Sequence, residues 1–365
     1  MANIIFINIF QRSGGGEIYL ERLISELKKN SNREDSLLLI SPQCNVLNHF
    51  LSSERTIKGC KGKSWLLDIL TLFISICQIN IKLYRLKPSL VIINGDRAIF
   101  LAPFLFFSRK KIGIKHMLID SKFKAIMNKI AFRSLDKIVT ISKFHIKNYS
   151  QWNVVSKKNN KVILIYNSVD TDVFKNNNKK YNDKTVFLEI ASLEKRKGQF
   201  DLLTAFKEIT KKNLSAELYL AGEGNDLSKI NDYIKNNDLS NSVFLLGFQK
   251  DIPSLINKAD VIVLPSYNEG LPISILEALS CERPVISTNI AGIPEVLSNR
   301  NCGIIINPGD IEALFNSMCK FINNKELIYE MGQNGRKTVL EHFSKEIWIK
   351  KWINVLELYH FQQKV

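Results

Sequence analysis

VIVLPSYNEGLPISILEAL, residues 261–279, carries the clearest fold signal in the sequence. It begins with four apolar residues, which predict a buried strand. Pro265, Asn268 and Gly270 then favour a turn, and an amphipathic helical pattern begins at Ile273. A buried strand, a glycine-containing turn and a helix, in that order, predict one unit of a parallel α/β sheet.

The same alternation of short apolar runs with helical patterns extends toward both ends of the chain. In the second half the predicted strands are Thr185–Ala191, Glu217–Ala221, Val243–Leu246, Val261–Leu264, Val285–Ser287 and Gly303–Ile306. In the first half they are Ile4–Ile9, Ser36–Ile40, Leu90–Asn94, Lys111–His116 and Lys137–Ser142, with an amphipathic helix at Glu17–Asn30. Strands that alternate with helices pair in parallel, so we predict an α/β fold with two doubly wound, Rossmann-like sheets.

A polar stretch, residues 170–184 (DTDVFKNNNKKYNDK), divides the two halves and is the predicted linker. We therefore predict an N-terminal domain over residues 1–168 and a C-terminal domain over residues 169–343. A last helix within residues 344–365 is predicted to pack back on the N-terminal domain. Ligands of doubly wound sheets bind at the carboxyl ends of the strands, so we expect the domains to face each other across a ligand-binding cleft.

The chain of 365 residues has a formal net charge of +16, from 51 Lys and Arg against 35 Asp and Glu. Such an excess indicates either a polyanionic partner or a lysine-rich surface that only keeps the protein in solution, and both interpretations stay open. The candidate partners are an anionic membrane surface, a phosphorylated ligand and nucleic acid. The sequence has no zinc-finger, RRM or basic-zipper pattern, so we expect no nucleic-acid partner.

Six cysteines are widely spaced without a C-x-x-C pair, and no two of the five histidines are helix neighbours on one face. This pattern predicts neither a disulfide framework nor a metal site, so we expect reduced thiols in a cytoplasmic protein. The first ten residues lack the basic region and the cleavage site of a secretory signal. They are predicted to form a strand instead.

The longest apolar run, Trp65–Ile79, is shorter than a bilayer span requires. Two interpretations stay open for it, a core helix and an interfacial helix. Lys61, Lys63 and Lys82 flank the run, and an interfacial helix with such neighbours would dock on an anionic membrane. The second interpretation therefore places the protein peripherally on the cytoplasmic face of an inner membrane.

The turn after the strand Val261–Leu264 has the geometry of a phosphate-binding site. The amides of Gly270 and Leu271, just before the helix at Ile273, would point at an anion, and the helix dipole would attract it. Glu269 and Glu277 are seven residues apart on this segment. Taken singly, each glutamate also fits a plain structural role, as a partner of the helix dipole or as a solvated helix residue.

With these two glutamates the chain resembles the retaining GT-B glycosyltransferases of the large family often called glycosyltransferase family four. The family's hallmark is this glutamate pair within a PS-x-x-EG-x-P-x-x-x-LEA-like segment. The matching residues are Pro265, Ser266, Glu269, Gly270, Pro272, Leu276, Glu277 and Ala278. Further matches, in the family's order, are Ser13–Leu23, Ile163–Phe174, Leu218–Gly224, Val243–Phe248, Arg283–Leu297 and Gly303–Asp310. The resemblance covers most of the chain and implies the GT-B architecture.

The resemblance implies a role for each matched position of the donor site. Glu277 would accept hydrogen bonds from the ribose hydroxyls of a nucleotide, and Glu269 would hold hydroxyls of the donor sugar. Lys197 matches the family's phosphate-binding lysine, whose charge would stabilise the departing nucleoside diphosphate. The other implied donor-binding positions of the segment are Ser266, Gly270, Leu271 and Pro272.

One basic residue of the family's pattern is replaced here. The family has an arginine five positions before the lysine, and this chain has Ser192 there. Arg196, beside Lys197, is a candidate substitute, although neighbouring residues on a turn often point apart. Whether Arg196 takes that role stays open.

In the first half the resemblance implies that Gly14 and Gly15 let the loop after the first strand approach the diphosphate. His116, at the end of a predicted strand, matches the family's active-site histidine and would hydrogen-bond to the donor sugar. Each feature also has a plain alternative. The two glycines would then belong to an ordinary strand-to-helix turn, and His116 would be a structural histidine. With Glu269 and Lys197, His116 completes the predicted catalytic set.

The activity that the resemblance implies is transfer of a sugar from a nucleoside diphosphate to a hydroxyl, with retention of anomeric configuration. A UDP-sugar is the favoured donor and a GDP-sugar the next, and the acceptor is a glycan or a lipid-linked saccharide of bacterial surface polysaccharide synthesis, such as O-antigen, capsule or lipopolysaccharide. No cofactor and no essential metal are implied, so Asp170-Thr171-Asp172 is interpreted as a turn. The alternatives are a non-catalytic sugar-nucleotide-binding or scaffold protein and a GT-B-like hydrolase or epimerase.

Overall fold

The computed structural model describes residues 3–9, 15–30, 36–40, 65–155, 160–177 and 183–359. The chain divides into two compact units. One unit comprises Met1–Tyr166 and Glu346–Val365, and the other comprises Asn167–Lys345. Each unit is built around its own parallel sheet.

The first unit has a six-stranded sheet in the order β2-β1-β3-β4-β5-β6, and all of its pairings are parallel. Its strands are β1 (Asn3–Asn8), β2 (Ser36–Ile40), β3 (Leu90–Asn94), β4 (Lys111–Lys115), β5 (Lys137–Thr140) and β6 (Val162–Leu164). Its helices are α1 (Gly15–Asn30), α2 (Trp65–Leu86), α3 (Asp96–Ile99), α4 (Lys122–Arg133) and α5 (Lys143–Gln151).

The second unit has a six-stranded parallel sheet in the order β12-β11-β10-β7-β8-β9. Its strands are β7 (Thr185–Ile190), β8 (Ala216–Ala221), β9 (Val243–Gly247), β10 (Val261–Leu264), β11 (Val285–Thr288) and β12 (Gly303–Ile306). Its helices are α6 (Gln199–Lys211), α7 (Leu227–Asn236), α8 (Ile252–Lys258), α9 (Ile273–Ser280), α10 (Ile293–Leu297), α11 (Ile311–Asn323) and α12 (Lys325–His342). The terminal helix is α13 (Lys345–Glu357).

The central strands are mostly apolar, as expected where helices cover both faces of a sheet. Every residue of β3 and of β10 is buried. The predicted amphipathic helix is α1, and its apolar stripe is buried: Tyr19, Leu20, Leu23, Ile24 and Leu27. The prediction of an α/β fold with two doubly wound sheets is therefore confirmed.

The predicted linker is wrong, because residues 170–184 belong to the second unit and the chain divides after Tyr166. Arg336 of α12 donates hydrogen bonds to the carbonyls of Thr171 (3.0 Å) and Phe174 (2.8 Å), and Ser280 donates to Phe174 O at 2.5 Å. Residues 171–174 are therefore bonded to the second unit through their backbone, and residues 178–182 lie outside the described part.

The long apolar run at Trp65–Ile79 forms the first part of α2. Where its side chains are described, Ile79 and Leu83 are buried in the core, whereas Phe73 is 63% exposed and Tyr84 is 61% exposed. One face of α2 is therefore a core face and the other is exposed. Among the described residues, no helix is both long enough and apolar enough to cross a bilayer.

Helix α13 is anchored in the first unit by aromatic contacts of Trp348 and Trp352 with Tyr19. Trp352 is fully buried, and its indole Nε1 donates a hydrogen bond to the hydroxyl of Tyr19 in α1 at 2.8 Å. We expect Trp352→Ala to lower the free energy of unfolding by about 3–5 kcal/mol, because a large side chain leaves a cavity and a buried hydroxyl loses its partner. Urea unfolding followed by intrinsic fluorescence measures this.

The control is Leu358→Ala, one residue beyond α13, where the side chain is 67% exposed. We expect it to change the free energy of unfolding by less than about 0.5 kcal/mol. Equal effects of the two substitutions would contradict the anchoring role of Trp352.

Candidate functional site

The second unit has one place where strand order reverses, between β7 and β10, the two strands at the centre of its sheet. In doubly wound sheets such a point opens a crevice at the carboxyl ends of the strands, and ligands bind there. Lys197 follows β7 and Glu269 follows β10. The topology therefore brings together two residues that are 72 positions apart in the sequence.

Lys197 and Glu269 form an ion pair at this point. Lys197 Nζ donates to Glu269 Oε1 at 2.5 Å, and Ser266 Oγ donates to the same oxygen at 2.9 Å. The two charged side chains are only 12% and 10% exposed. A shielded pair of this kind interacts more strongly than a surface pair, but each partner becomes costly to bury if the other is removed.

Gly198 allows the lysine turn to lie directly against the glutamate loop. It has φ +80°, and a Cβ at this position would meet the Pro265 carbonyl oxygen at 2.2 Å. Both the positive φ and the close approach require glycine. The lysine-glycine pair of the sequence is therefore a packing requirement as well as a motif.

Hydrogen bonds to backbone groups of residues 265–272 help to fix this loop in place. Tyr267 N donates to Arg196 O at 2.8 Å, and Thr288 Oγ1 donates to Ser266 O at 2.6 Å. Gly292 N donates to Gly270 O at 2.9 Å, and Asn167 Nδ2 donates to Leu271 O at 2.5 Å. A loop held in this way positions its groups before a ligand arrives, which lowers the entropic cost of binding.

Helix α9 begins directly after this loop, with Pro272 as its N-cap residue. Among the described residues no side-chain cap bond forms at this helix terminus, so its first amides are suited to bind an anion. Glu277 lies in the second turn of α9 and is partly buried. The structure thus places Ser266, Glu269, Gly270, Leu271 and Pro272 on one loop with Glu277 in the helix behind it.

The structure does not bring Arg196 to the ion pair. Arg196 Nε donates to Glu194 Oε2 at 2.8 Å, and both side chains are exposed to solvent. Ser192 is partly buried, and its carbonyl accepts a hydrogen bond from Gln199 Nε2 at 3.2 Å. Arg196 as a substitute for the missing arginine therefore stays a prediction that needs a different side-chain position.

Glu189, in β7, is a buried carboxyl that the sequence analysis missed. It is 1% exposed, Gln199 Nε2 donates to its Oε1 at 3.1 Å, and its Oε2 has no hydrogen-bond partner among the described residues. Burial raises the pKa of Glu189 well above its usual range, the charge of Lys197 lowers it in part, and the charge of Glu269 raises it further. Glu189 therefore favours its protonated, uncharged form.

The first unit has a comparable polar cluster at its own reversal of strand order, between β1 and β3. His116 follows β4, and its Nε2 lies 2.9 Å from Asn94 Oδ1 at the end of β3. Burial lowers the pKa of His116 to about 4, so the imidazole is neutral near pH 7. Gly15 is the exposed first residue of α1, and Gly14 lies outside the described residues.

Asn94 fixes which nitrogen of His116 carries the proton. Its Nδ2 donates to the Gly16 carbonyl at 3.1 Å and to Asn8 Oδ1 at 3.3 Å, so its Oδ1 faces the histidine as an acceptor. His116 therefore donates through Nε2, which leaves Nδ1 as an acceptor in the neutral ring. Asn8 and Asn94 were missed although each ends an apolar strand, which is where polar ligand-binding side chains of parallel sheets occur.

A second layer of polar groups lies behind His116. His145 Nε2 is 3.2 Å from the His116 carbonyl, and His145 Nδ1 is 2.5 Å from Ser142 Oγ. Burial lowers the pKa of His145 to about 4. Lys115 is buried beside them and pairs with Asp96. The carboxyl ends of these strands thus bring together two neutral imidazoles and one ion pair, Lys115–Asp96.

The Asp-Thr-Asp sequence at residues 170–172 forms a turn, as expected. Asp170 Oδ1 accepts hydrogen bonds from the amides of Asp172 (3.2 Å) and Val173 (3.4 Å). Its other carboxylate oxygen pairs with Lys345 Nζ at 2.6 Å. The carboxylate is therefore used for local backbone structure.

Comparison with known proteins identifies the second unit. Residues 170–338 match the sequence model of the family described as glycosyl transferases group 1. The match covers most of the second unit and a little less than half of the chain. It confirms the resemblance to glycosyltransferases of this group, whereas assignment to family four and retention of configuration are not tested by the match.

Two characterised relatives resemble parts of the chain. It is 28% identical over 198 residues to N-acetyl-alpha-D-glucosaminyl L-malate synthase of Bacillus anthracis, a match that spans 52% of each chain. It is 31% identical over 235 residues to the capsular polysaccharide biosynthesis glycosyltransferase CapM of Staphylococcus aureus, which spans 61% of each chain. The chain thus covers between about half and three fifths of the length of these relatives.

A solved structure shares the fold over almost the whole chain. Alr3699/HepE of Anabaena, in complex with UDP and glucose, superposes with a TM-score of 0.82 over 98% of this chain and 100% of that one. The sequence identity is 17%, so the likeness shows the fold alone. It confirms the predicted pair of Rossmann-like domains.

The protonated state of Glu189 predicts how stability depends on pH. Folding raises the pKa of Glu189. Its contribution to the free energy of unfolding is therefore complete below the pKa of the unfolded state, about 4.3, and is lost as the pH rises toward the pKa of the folded state. Glu189→Gln cannot titrate. Its stability relative to the unsubstituted protein should therefore increase from pH 5 to pH 8, by up to about 1.4 kcal/mol per pH unit.

Thermal unfolding of both proteins at several pH values measures this difference. The matched control is Glu326→Gln, at an exposed position in α12, for which we expect a small difference at every pH. A Glu189→Gln difference that does not change with pH would mean that Glu189 is ionised in the folded protein.

Proposed function

We propose that the chain is a glycosyltransferase that moves a sugar from a nucleoside-diphosphate donor to a hydroxyl of a glycan or a lipid-linked saccharide. The observation that carries this proposal is the shielded Lys197–Glu269 pair in front of the uncapped start of α9. It offers a cation and backbone amides to a diphosphate, and a carboxylate to the hydroxyls of a sugar. The family whose model residues 170–338 match supports the same reaction.

Charge stabilisation is assigned to the lysine and the helix. As the bond between the sugar and the diphosphate breaks, negative charge grows on the leaving phosphate. Lys197 Nζ neutralises this charge, and the first amides of α9 donate hydrogen bonds to it. The proposal needs no divalent cation, which a comparison with and without EDTA tests.

Orientation of the donor is assigned to two carboxylates and one imidazole. Glu277 accepts from the ribose hydroxyls, and Glu269 accepts from the sugar hydroxyls once Lys197 has turned to the phosphate. His116 is neutral and keeps Nδ1 as an acceptor, so it is suited to bind a sugar hydroxyl without adding charge. Gly14 and Gly15 remain assigned to the diphosphate.

The finer features of the proposal rest on resemblance. Retention of configuration and a same-face attack follow the family that the motifs resemble. UDP-sugars are the first candidates because HepE was solved with UDP and glucose, and GDP-sugars are the next. A role in bacterial surface polysaccharide synthesis is supported by the likeness to CapM, a capsular polysaccharide biosynthesis glycosyltransferase, and a peripheral position on the inner membrane would suit a lipid-linked acceptor.

A non-catalytic sugar-nucleotide-binding protein is the second candidate function. It is favoured by the weaker set of cations for a phosphate, since Ser192 replaces the family's arginine and Arg196 pairs with Glu194. A hydrolase or epimerase is a weaker alternative, because it would need an additional acid–base set. Release of nucleoside diphosphate with formation of a glycoside distinguishes a transferase from all of these.

Substitution of the lysine tests the proposed function. We expect Lys197→Met to lower kcat/KM for the donor by about 100-fold or more, because stabilisation of the leaving phosphate is lost. The matched control is Lys195→Met on the same turn, which is exposed and should have little effect. Turnover is measured as nucleoside diphosphate released, with a panel of UDP- and GDP-sugars and an acceptor extract.

Donor binding is measured separately by thermal shift with the same panel, with and without EDTA. A selective rise in melting temperature that is lost in Glu277→Ala supports the donor site. Binding of a donor without turnover in any acceptor mixture would favour the non-catalytic candidate. Equal loss of activity in Lys195→Met and Lys197→Met would remove the special role of Lys197.

A further inference from the structure

Residues 104–107, which we call the aromatic loop, carry three exposed aromatic side chains. Phe104 is 50% exposed, Phe106 is 71% exposed and Phe107 is 47% exposed, whereas Leu105 between them is fully buried. Three large apolar side chains in four consecutive residues cost free energy in water. Such a patch on a protein surface usually marks a place of contact with a partner or a membrane.

Buried polar groups hold this loop with its aromatic residues outward. Asn80 of α2 is 8% exposed, its Nδ2 donates to Phe104 O at 2.8 Å, and its Oδ1 accepts from Phe106 N at 2.9 Å. Lys111 Nζ donates to Leu105 O at 2.8 Å. The loop is thus fixed by the core beneath it, and the exposure of its phenyl rings is a property of the fold.

Helix α4 adds a second exposed apolar stripe. Phe123 is 73% exposed, Ile126 is 60% exposed and Ile130 is 49% exposed, and their spacing of three and four residues places them on one face. The other face of the helix is anchored in the core by Phe132, which is 2% exposed. The turn Ala102–Phe104 packs against α4, so the loop and the stripe are neighbours.

Helix α2 continues the same surface. Tyr84, 61% exposed, meets Phe107 edge to face with ring centroids 5.2 Å apart. The sequence analysis placed a membrane contact on the apolar run at the start of α2. Phe73 and Ile74 of that run are exposed, and the membrane contact there stays a prediction. Further exposed apolar side chains lie on the last part of α2, the aromatic loop and α4, and we call these three elements together the apolar face.

The charges around the apolar face are mostly positive. Helix α4 contains Lys122, Lys124, Lys129 and Arg133 and no acidic residue, although Asp120 just before it pairs with Lys124. Within residues 97–119, Arg97, Arg109 and Lys110 are exposed, and Lys110 pairs with Asp136, whereas Lys115 is buried against Asp96 and Lys111 Nζ is bonded to backbone carbonyls. A second copy of this chain would therefore meet like charge with like charge, which opposes self-association through this surface.

We infer that the apolar face is the surface by which the chain docks on an anionic lipid bilayer. The phenyl and isoleucine side chains enter the boundary between headgroups and acyl chains, and the lysines and arginines contact the acidic headgroups. The inference deepens the proposed function in one respect, since a lipid-linked acceptor would be found at such a surface. Its physical basis is independent of the donor site.

Vesicle binding tests the inference with the full chain. We expect sedimentation with vesicles of phosphatidylglycerol and phosphatidylcholine (3:7), weaker binding to pure phosphatidylcholine, and loss of binding as salt is raised from 50 to 500 mM. The variant Phe106→Ser/Phe123→Ser/Ile126→Ser should lower the partition coefficient by at least about tenfold, since three inserted side chains are lost. Its melting temperature should change little, because all three positions are exposed.

The matched control removes equally exposed apolar side chains from the second unit. Phe248 is 67% exposed and Tyr329 is 60% exposed, and Phe248→Ser/Tyr329→Ser should bind vesicles like the unsubstituted protein. Failure to bind the anionic vesicles, or equal losses in the two variants, would overturn the inference. So would a dimer in sedimentation velocity that only the first variant dissociates, since that would assign the apolar face to a second copy.

Donor binding by thermal shift separates this inference from the proposed function. The vesicle-binding variant should keep the full shift with a donor sugar nucleotide, because none of its substitutions lies in the second unit. Binding to vesicles without binding of any sugar nucleotide would support the membrane-docking inference and overturn the proposed transferase function. The reverse result would retain the transferase and remove the membrane surface.

Discussion

In a parallel sheet the carboxyl ends of all strands lie at one edge. The polar clusters of both units form at that edge. In the second unit this arrangement brings the turn after β7 to the loop after β10, so that Lys197 and Glu269 meet across 72 positions of sequence. In the first unit it brings Asn8 and Asn94 side by side and sets His116 against them. The polar residues at these edges gain partners only because the strands run in one direction.

Burial at these edges decides which groups carry charge. Glu189 and His116 are both pushed toward their neutral forms, one by gaining a proton and the other by losing it. The charges that persist there are paired, Lys197 with Glu269 and Lys115 with Asp96. Each edge is therefore rich in hydrogen-bonding groups with little uncompensated charge. That combination suits recognition of a ligand that itself combines many hydroxyls with a compact anionic group.

Much of the fold could be predicted from the sequence, because strand and helix periodicities are local signals. The predicted strands Val261–Leu264 and Gly303–Ile306 have the same ends in the structure. The linker was misplaced, because the bonds from Arg336 that hold residues 171–174 join positions more than 160 residues apart.

The motif placed Glu269 and Lys197, but no local pattern indicates that Asn94 sets the tautomer of His116 or that Glu189 is protonated. The exposed stripe of α4 was missed for a similar reason, since its isoleucines and phenylalanine could equally face a core.

The Lys197–Glu269 pair has a consequence for the order of events in a reaction cycle. Without ligand the cation and the carboxylate satisfy each other, so a bare phosphate ion must separate them and leaves Glu269 without compensation. In the proposed reaction a sugar nucleotide would compensate both partners at once, because its phosphates would bind the lysine and its sugar hydroxyls would bind the glutamate. After loss of the sugar, the remaining nucleoside diphosphate would satisfy only the lysine. Re-formation of the pair would then favour product release, so the same contact that disfavours incomplete ligands would also help to empty the site.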